Sequence, residues 1–248
     1  ASAGNYGLAI AVAGERHKVN VTVVVPKEAT PSKLERIRIS GANVIEYDSD
    51  FDGAKEFARK EATRNGAAFW EDGAIDEMAD GAGTIGLELI NHPNPWDVVL
   101  VPIGNGSLMK GIASVFKSER PATKVIGLVS SSAPAMAQAI NGDHWDEKTS
   151  MDTLADGLAV RIPILSIVQE LKSLVDDVWL VDESKLMPAV VSLMELEQML
   201  VEPSAAITLA GLVDKHLELA GKRIVSIITG SHLRRSLISK LATTNPLL

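Results

Sequence analysis

Two apolar runs constrain this chain more than any other feature. Val19–Val25 is rich in β-branched residues, and Asp97–Val101 is apolar after its first residue. Neither shows the strict in–out alternation of a strand with one wet face. Strands of that kind are covered on both faces, which is the condition of a parallel sheet between helical layers. The rest of the chain supplies the helices, so the fold class is α/β.

Around the first run, Tyr6–Glu15 reads as a mostly buried helix. Pro26 ends the strand, and Thr30-Pro31 opens a helix that runs to about Ser40. Asn43–Tyr47 is a second strand. Phe51–Thr63 is a helix with Phe51, Ala54, Phe57 and Ala58 on one face. Asn65-Gly66 is a turn, and Ala67–Trp70 is expected to be a third short strand. A boundary is expected near Glu71–Ala74. It separates a small domain, 1–73, from a larger one, 74–248. In the second part Gly83–Leu89 belongs to a helix. The strand Asp97–Val101 leads at once into Gly104-Asn105-Gly106-Ser107 and a helix from about Leu108 to Phe116. Lys124–Val129 is a strand, Ala133–Ile140 a short helix and Asn141–Ser150 a polar loop. Helices follow at Ile164–Leu174, Glu183–Leu200 and Pro203–Ala220. A last strand, Arg223–Ile228, ends in Thr229-Gly230-Ser231-His232.

Composition excludes several functions. The 248 residues contain no cysteine, so there is no disulfide framework, zinc ribbon or thiolate nucleophile. With 24 Lys+Arg against 32 Asp+Glu the formal net charge is −8, the wrong balance for wrapping a nucleic-acid backbone. No run of about 18 apolar residues suits a membrane span. No signal peptide is visible, so a cytoplasmic setting is expected. The five histidines, His17, His92, His144, His216 and His232, never fall four apart, so one helix does not present a metal pair. No G-x-S-x-G elbow supports a serine hydrolase. The acidic residues Glu71, Asp72, Asp76, Glu77 and Asp80 read as a solvated face more readily than as a cation site.

Three loops can carry chemistry, and each has a plainer reading. Gly104 to Leu108 joins a strand to a helix N-terminus. Its glycines and free N–H groups suit a phosphate, but an ordinary tight turn uses the same residues. It is neither a Walker loop nor a complete dinucleotide fingerprint. Ser2-Ala3-Gly4-Asn5 also precedes a helix. It suits a carboxylate or serves as a simple N-cap. Thr229-Gly230-Ser231-His232 follows a strand end, where ligands collect in open α/β sheets, or is a strand-ending turn.

Taken in order, these segments resemble those of the fold type II pyridoxal-phosphate enzymes, on the serine/threonine dehydratase and serine racemase branch. Ser2-Ala3-Gly4-Asn5 is similar to that family's substrate loop. Gly81-Ala82-Gly83-Thr84-Ile85 is similar to the segment re-entering the large domain. Pro102-Ile103-Gly104-Asn105-Gly106-Ser107-Leu108 resembles the tetraglycine phosphate loop. Ala155-Asp156-Gly157-Leu158-Ala159-Val160 resembles A-D-G-x-A-V, and Glu202-Pro203-Ser204-Ala205-Ala206 resembles E-P-x-G-A. Thr229-Gly230-Ser231-His232 stands in the place of S/T-G-G-N. Six segments in register, from Ala1 to about Leu233, carry the resemblance.

The resemblance implies two open, twisted, mostly parallel sheets flanked by helices. It implies pyridoxal 5'-phosphate as cofactor and β-elimination with deamination of a hydroxy amino acid such as serine or threonine. Ser2, Ala3, Gly4, Asn5 and Tyr6 would bind the substrate, with Asn5 also meeting the cofactor's ring oxygen. Gly104, Asn105, Gly106, Ser107 and Leu108 would hold the phosphate, Gly157 would line the cofactor, and Thr229 would meet the pyridine nitrogen. A neutral hydroxyl there makes the ring a weaker electron sink than an aspartate would, which suits β-elimination better than transamination.

Departures from the pattern narrow the expectation. Asn105 and Ser107 replace two loop glycines. Tyr6 follows Asn5 where many members have histidine, and Ser231 and His232 replace Gly-Asn. Ala3 is the dehydratase-like residue; the racemases carry serine there. Val129 stands where metal-dependent members have a glutamate ligand, so no divalent ion is expected at that place. In the family the Schiff-base lysine lies ahead of the substrate loop. The chain opens on Ala1 and passes straight into that loop, so this lysine is expected to be absent from it. Lys110 is out of place as a substitute. The large domain is then incomplete and the fold N-terminally truncated. The chain alone is expected to be inactive and to associate with itself or with the missing segment. The competing reading is a non-catalytic homologue that binds pyridoxal phosphate or a phosphorylated small ligand.

Overall fold

The computed structural model describes residues 1–2, 4–27, 31–148 and 151–248, and for 31–33 the backbone alone. Ala3, Thr30 and the end of the Asn141–Ser150 loop lie outside the described residues. The chain forms two compact units, Ala1–Asp72 and Gly73–Leu248.

In the first unit, α1 (Asn5–His17), β1 (Thr22–Pro26), α2 (Pro31–Ile39), β2 (Asn43–Tyr47) and α3 (Phe51–Asn65) follow in sequence. β1 and β2 pair in parallel, with Val23 opposite Val44 and Val25 opposite Glu46. Alternate β1 residues face opposite layers. Val23 and Val25 pack with Ala11, Leu34 and Ile37 of α1 and α2, while Val24 packs with Ala54 and Ala58 of α3. This two-sided burial is why the run has no polar face. The Ser2 N–H donates to the Val24 carbonyl (3.0 Å), so the chain entry is bonded to β1.

The strand expected at Ala67–Trp70 does not form. Ala67 is used to close α3, its N–H donating to the Ala62 carbonyl. Phe69 is drawn beneath the Arg59 guanidinium, 4.7 Å from the ring centre. A strand of that length needs a neighbouring edge to pair with, and side-chain contacts claim the segment first.

In the second unit, α4 (Asp76–Ile90) precedes β3 (Val98–Pro102), α5 (Ser107–Glu119), β4 (Lys124–Ser130) and α6 (Ala135–Asn141). Then come α7 (Leu165–Leu174), β5 (Asp177–Val181), α8 (Leu186–Glu197), α9 (Pro203–Asp214), β6 (Ile224–Ser226) and α10 (Arg235–Leu241). The four strands form one parallel sheet in the order β5-β4-β3-β6. Val98 and Leu100 face a core completed by Leu186, Val190, Ala206 and Ile207 of α8 and α9. Val99 and Val101 face the opposite core, with Ile112, Phe116, Met136, Val168 and Leu171 of α5, α6 and α7.

Two elements, β5 and α10, lie outside the sequence expectations. β5 is an edge strand with alternating burial, and its Leu180 is 53% exposed, so it lacks the apolar run that marks β3 and β4. The helix expected from Glu183 begins at Leu186 instead. Asp182 accepts the Ser184 N–H and shapes a short 3-10 turn first. Among the described residues no helix is long and apolar enough to cross a membrane.

Candidate cofactor and substrate site

Strand order determines which loops meet. β3 lies between β4 and β6, all parallel, so the segments leaving β3 and β6 emerge at the same end of the sheet. After β6 the pairing continues for one more bond, Ile227 N–H to the Leu100 carbonyl. Gly104–Gly106 and Thr229-Gly230 therefore begin from adjacent strands, at the end where ligands collect in parallel α/β sheets.

Gly104 to Ser107 is a tight connection. Gly106 has φ +104, a backbone that disfavours any residue with a Cβ, and it leads directly into α5. The N-cap position of α5 is Gly106, which has no side chain of its own to cap the helix. The first N–H groups of a helix have no partner within it and carry its positive dipole end, so this turn presents donors toward an anion. The buried Ser107 hydroxyl accepts the Gly73 N–H (2.9 Å). Asn105 lies against the same residue: a Cβ on Gly73 would stand 2.7 Å from the Asn105 carbonyl oxygen. These two departures from an all-glycine loop thus meet Gly73, for which the sequence carried no signal.

Two further segments close on this loop. The Gly157 N–H donates to Ser204 Oγ (3.1 Å), and a Cβ on Gly104 would lie 2.8 Å from the Gly157 carbonyl oxygen. The Glu202 N–H donates to the Gly230 carbonyl (3.0 Å), which ties the start of α9 to the loop after β6. Arg234 places Nε and Nη2 on one Asp156 oxygen, at 3.1 and 2.9 Å. Four of the six sequence segments, around Gly104, Gly157, Glu202 and Thr229, are thereby assembled in this unit. Thr229 is exposed. The Gly81–Ile85 segment has another use. It is the middle of α4, where Gly83 and Gly86 pack against Gly111, Ile112 and Val115 of α5.

Lys110, one turn beyond the loop, is occupied. Its amine forms ion pairs with Asp76 and Glu170, both at 2.6 Å, and its side chain is 16% exposed. Burial works against its charge, but the hydrogen bonds and charges of Asp76 and Glu170 prevail and hold it above the ordinary lysine range. A lysine held protonated is a poor nucleophile. Two members of the acidic cluster are held in ion pairs. Asp76 is bonded to Lys110, and Glu71 to Lys55 and Arg59. Among the described residues no group of His, Asp and Glu could hold a metal ion.

In the first unit, the buried Ser2 hydroxyl accepts the N–H groups of Gly4 (3.2 Å) and Gly7 (3.0 Å), so it caps α1. Exposed Asn5 opens that helix. The Tyr6 hydroxyl donates to the Trp70 carbonyl (3.3 Å). Burial, then the charges of Asp72 and Glu71, push the Tyr6 phenol up to about 12.

Comparison with known proteins agrees with this geometry. The family model for pyridoxal-phosphate dependent enzymes matches residues 1–230. The chain belongs to that family, with the fold type II architecture of its serine/threonine dehydratase branch. It is 32% identical over 241 residues to the L-threonine ammonia-lyase of Thermotoga maritima, covering 97% of this chain and 60% of that protein. The processed form of threonine deaminase isoform 2 from Solanum lycopersicum superposes with a TM-score of 0.90 at 27% identity, covering 98% of this chain and 71% of that one. Maize serine racemase superposes with a TM-score of 0.88 at 25% identity, covering 98% and 75%. The chain spans about 60% of the length of the first curated relatives it matches. The family's cofactor fits the residues present. A helix N-terminus led by a glycine at positive φ and a second glycine with no room for a side chain together suit a phosphate group.

Proposed function

We propose that the protein is a pyridoxal-phosphate-dependent ammonia-lyase acting on a small hydroxy amino acid, serine or threonine. The observation that carries this reading is the assembly of the Gly104, Gly157, Glu202 and Thr229 segments at the ends of β3 and β6, beside the glycine-led start of α5. Bound there, pyridoxal phosphate supplies an electron sink for charge developing at the substrate's α-carbon. The residues do the rest. Backbone N–H groups of Gly106 to Leu108 hold the phosphate, with Gly104 and Asn105 shaping the approach. Gly157 lines the cofactor. Thr229 offers a neutral hydroxyl to the ring nitrogen, which favours elimination over transamination. Ser2, Gly4, Asn5 and Tyr6, with Ala3, hold the substrate carboxylate, and Asn5 also contacts the cofactor ring. Self-association and a cytoplasmic setting belong to the same proposal.

The test has two stages. Absorbance and fluorescence titration of the chain with pyridoxal phosphate is expected to show saturable binding, competed by inorganic phosphate. Borohydride treatment of the complex is expected to leave Lys110 unmodified, because its amine is held in two ion pairs. Ammonia and 2-oxo acid release is then measured on the natural gene product with L-serine and L-threonine. Absence of cofactor binding would overturn the proposal. Binding without deamination by the gene product would favour a non-catalytic binder.

A further inference from the structure

A buried polar cluster lies outside the residues assigned above. Ser130, at the end of β4, is fully buried, and Thr153 is 8% exposed. Both hydroxyls lie on one oxygen of Glu183, at 2.6 and 2.8 Å. The other Glu183 oxygen accepts the Leu154 N–H. Thr153 Oγ accepts the Ala155 N–H (3.1 Å), and Ser130 Oγ accepts the Ser132 N–H (3.1 Å). One carboxylate thus collects three donors, two of them from consecutive residues.

Those consecutive residues, Thr153 and Leu154, run straight into Ala155-Asp156-Gly157. This is the turn whose Gly157 carbonyl abuts Gly104 and whose N–H binds Ser204. A turn packed so tightly against another backbone that no Cβ fits between them needs a fixed base, and side-chain hydrogen bonds to a charged group are the strong ones available. Glu183 follows β5 and is anchored by the sheet, so it offers a rigid reference for a segment with no regular structure of its own.

The geometry points to Glu183 as a positioning residue for the cofactor site: through Thr153 and Leu154 it sets the height of the Gly157 turn over Gly104. The inference rests on the cofactor reading above. It gives Glu183 no contact with cofactor or substrate. Its effect passes through the 153–157 backbone.

The experiment compares Glu183→Ala and Thr153→Val with Asp182→Asn. Asp182 is the neighbouring residue, exposed, and its side chain accepts from Ser184 within its own turn, a capping role that asparagine keeps. Two readouts are taken on the whole chain: amide hydrogen exchange at 154–158 without cofactor, and affinity for pyridoxal phosphate. Glu183→Ala is expected to speed exchange at 154–158 and to weaken binding about tenfold, the scale of a lost charge-assisted hydrogen bond. Thr153→Val shifts both in the same direction, and it carries the test if Glu183→Ala does not fold. Asp182→Asn leaves both unchanged. Unaltered exchange at 154–158 in the Glu183 and Thr153 variants overturns the inference, whatever the affinities. Faster exchange with undiminished affinity overturns it too. If the parent chain fails to bind pyridoxal phosphate, the cofactor reading fails, and the exchange data alone decide whether Glu183 holds this turn.

Discussion

Gly104 and Gly157 approach so closely that a Cβ on Gly104 would stand 2.8 Å from the Gly157 carbonyl oxygen. The obstacle is backbone, which cannot rotate aside as a side chain can. Gly104→Ala must therefore separate the two turns. The expected cost is about 1–3 kcal/mol of stability, as for other overpacked sites. A lowered denaturation midpoint in urea, together with weakened pyridoxal phosphate binding, checks it. An unchanged affinity would mean that the two turns need not touch for the site to work.

Ser204→Ala removes the acceptor of the Gly157 N–H while leaving the helix start intact. Ser204 is 2% exposed, but Gly157 is exposed, so water can reach the released N–H. The loss is then nearer about 0.5–1.5 kcal/mol than the full penalty of a buried unpaired donor. Hydrogen exchange at the Gly157 amide should accelerate well before global stability falls.

Tyr6 sets an alkaline signature. The fold raises its phenol from the ordinary 10 to about 12. Below pH 10 both folded and unfolded chains keep the proton, so its contribution to stability is complete. As pH rises from 10 toward 12 the unfolded chain ionises first, and the contribution is lost. The chain has two tyrosines, so tyrosinate absorbance can follow the group directly. Tyr6→Phe should abolish the phase near pH 12 and make stability less steep between pH 10 and 12.

Lys18 ends α1 in the left-handed region, φ 56, where its N–H and that of Val19 close the helix on Glu15 and Gly14. A Cβ at this dihedral is costly, and glycine is not penalised there. Lys18→Gly is expected to stabilise the first unit by about 1 kcal/mol. A higher thermal midpoint with unchanged cofactor affinity would agree. A fall would show that the lysine chain contributes more than its backbone costs.

Most of the layer plan was legible in the residues. Val23 to Val25 and Val98 to Val101 announced strands covered on both faces, and Gly104-Asn105-Gly106-Ser107 announced a tight turn into a helix. Ala67–Trp70 misled, because an apolar aromatic stretch resembles a strand until Phe69 finds Arg59. β5 escaped notice because an edge strand keeps one side toward water. Gly81–Ile85 belonged to a recognisable pattern, yet its Gly83, with Gly86 beyond it, serves the packing of α4 against α5. Nothing local could show that Ser107 would take the Gly73 N–H, since the two are far apart in sequence.

By itself, then, the order of residues determined the alternation of strands and helices and the presence of glycine turns at strand ends. Dihedral preference and hydrophobic period act over a few residues and leave local marks. The tertiary structure decided which turns meet. Placing β3 between β4 and β6 brought Gly104 beside the Thr229 loop, and the Ser204 hydroxyl drew Gly157 onto Gly104. Those contacts join residues from 47 to more than 100 positions apart. They exist only once burial of both sheet faces has chosen the strand order.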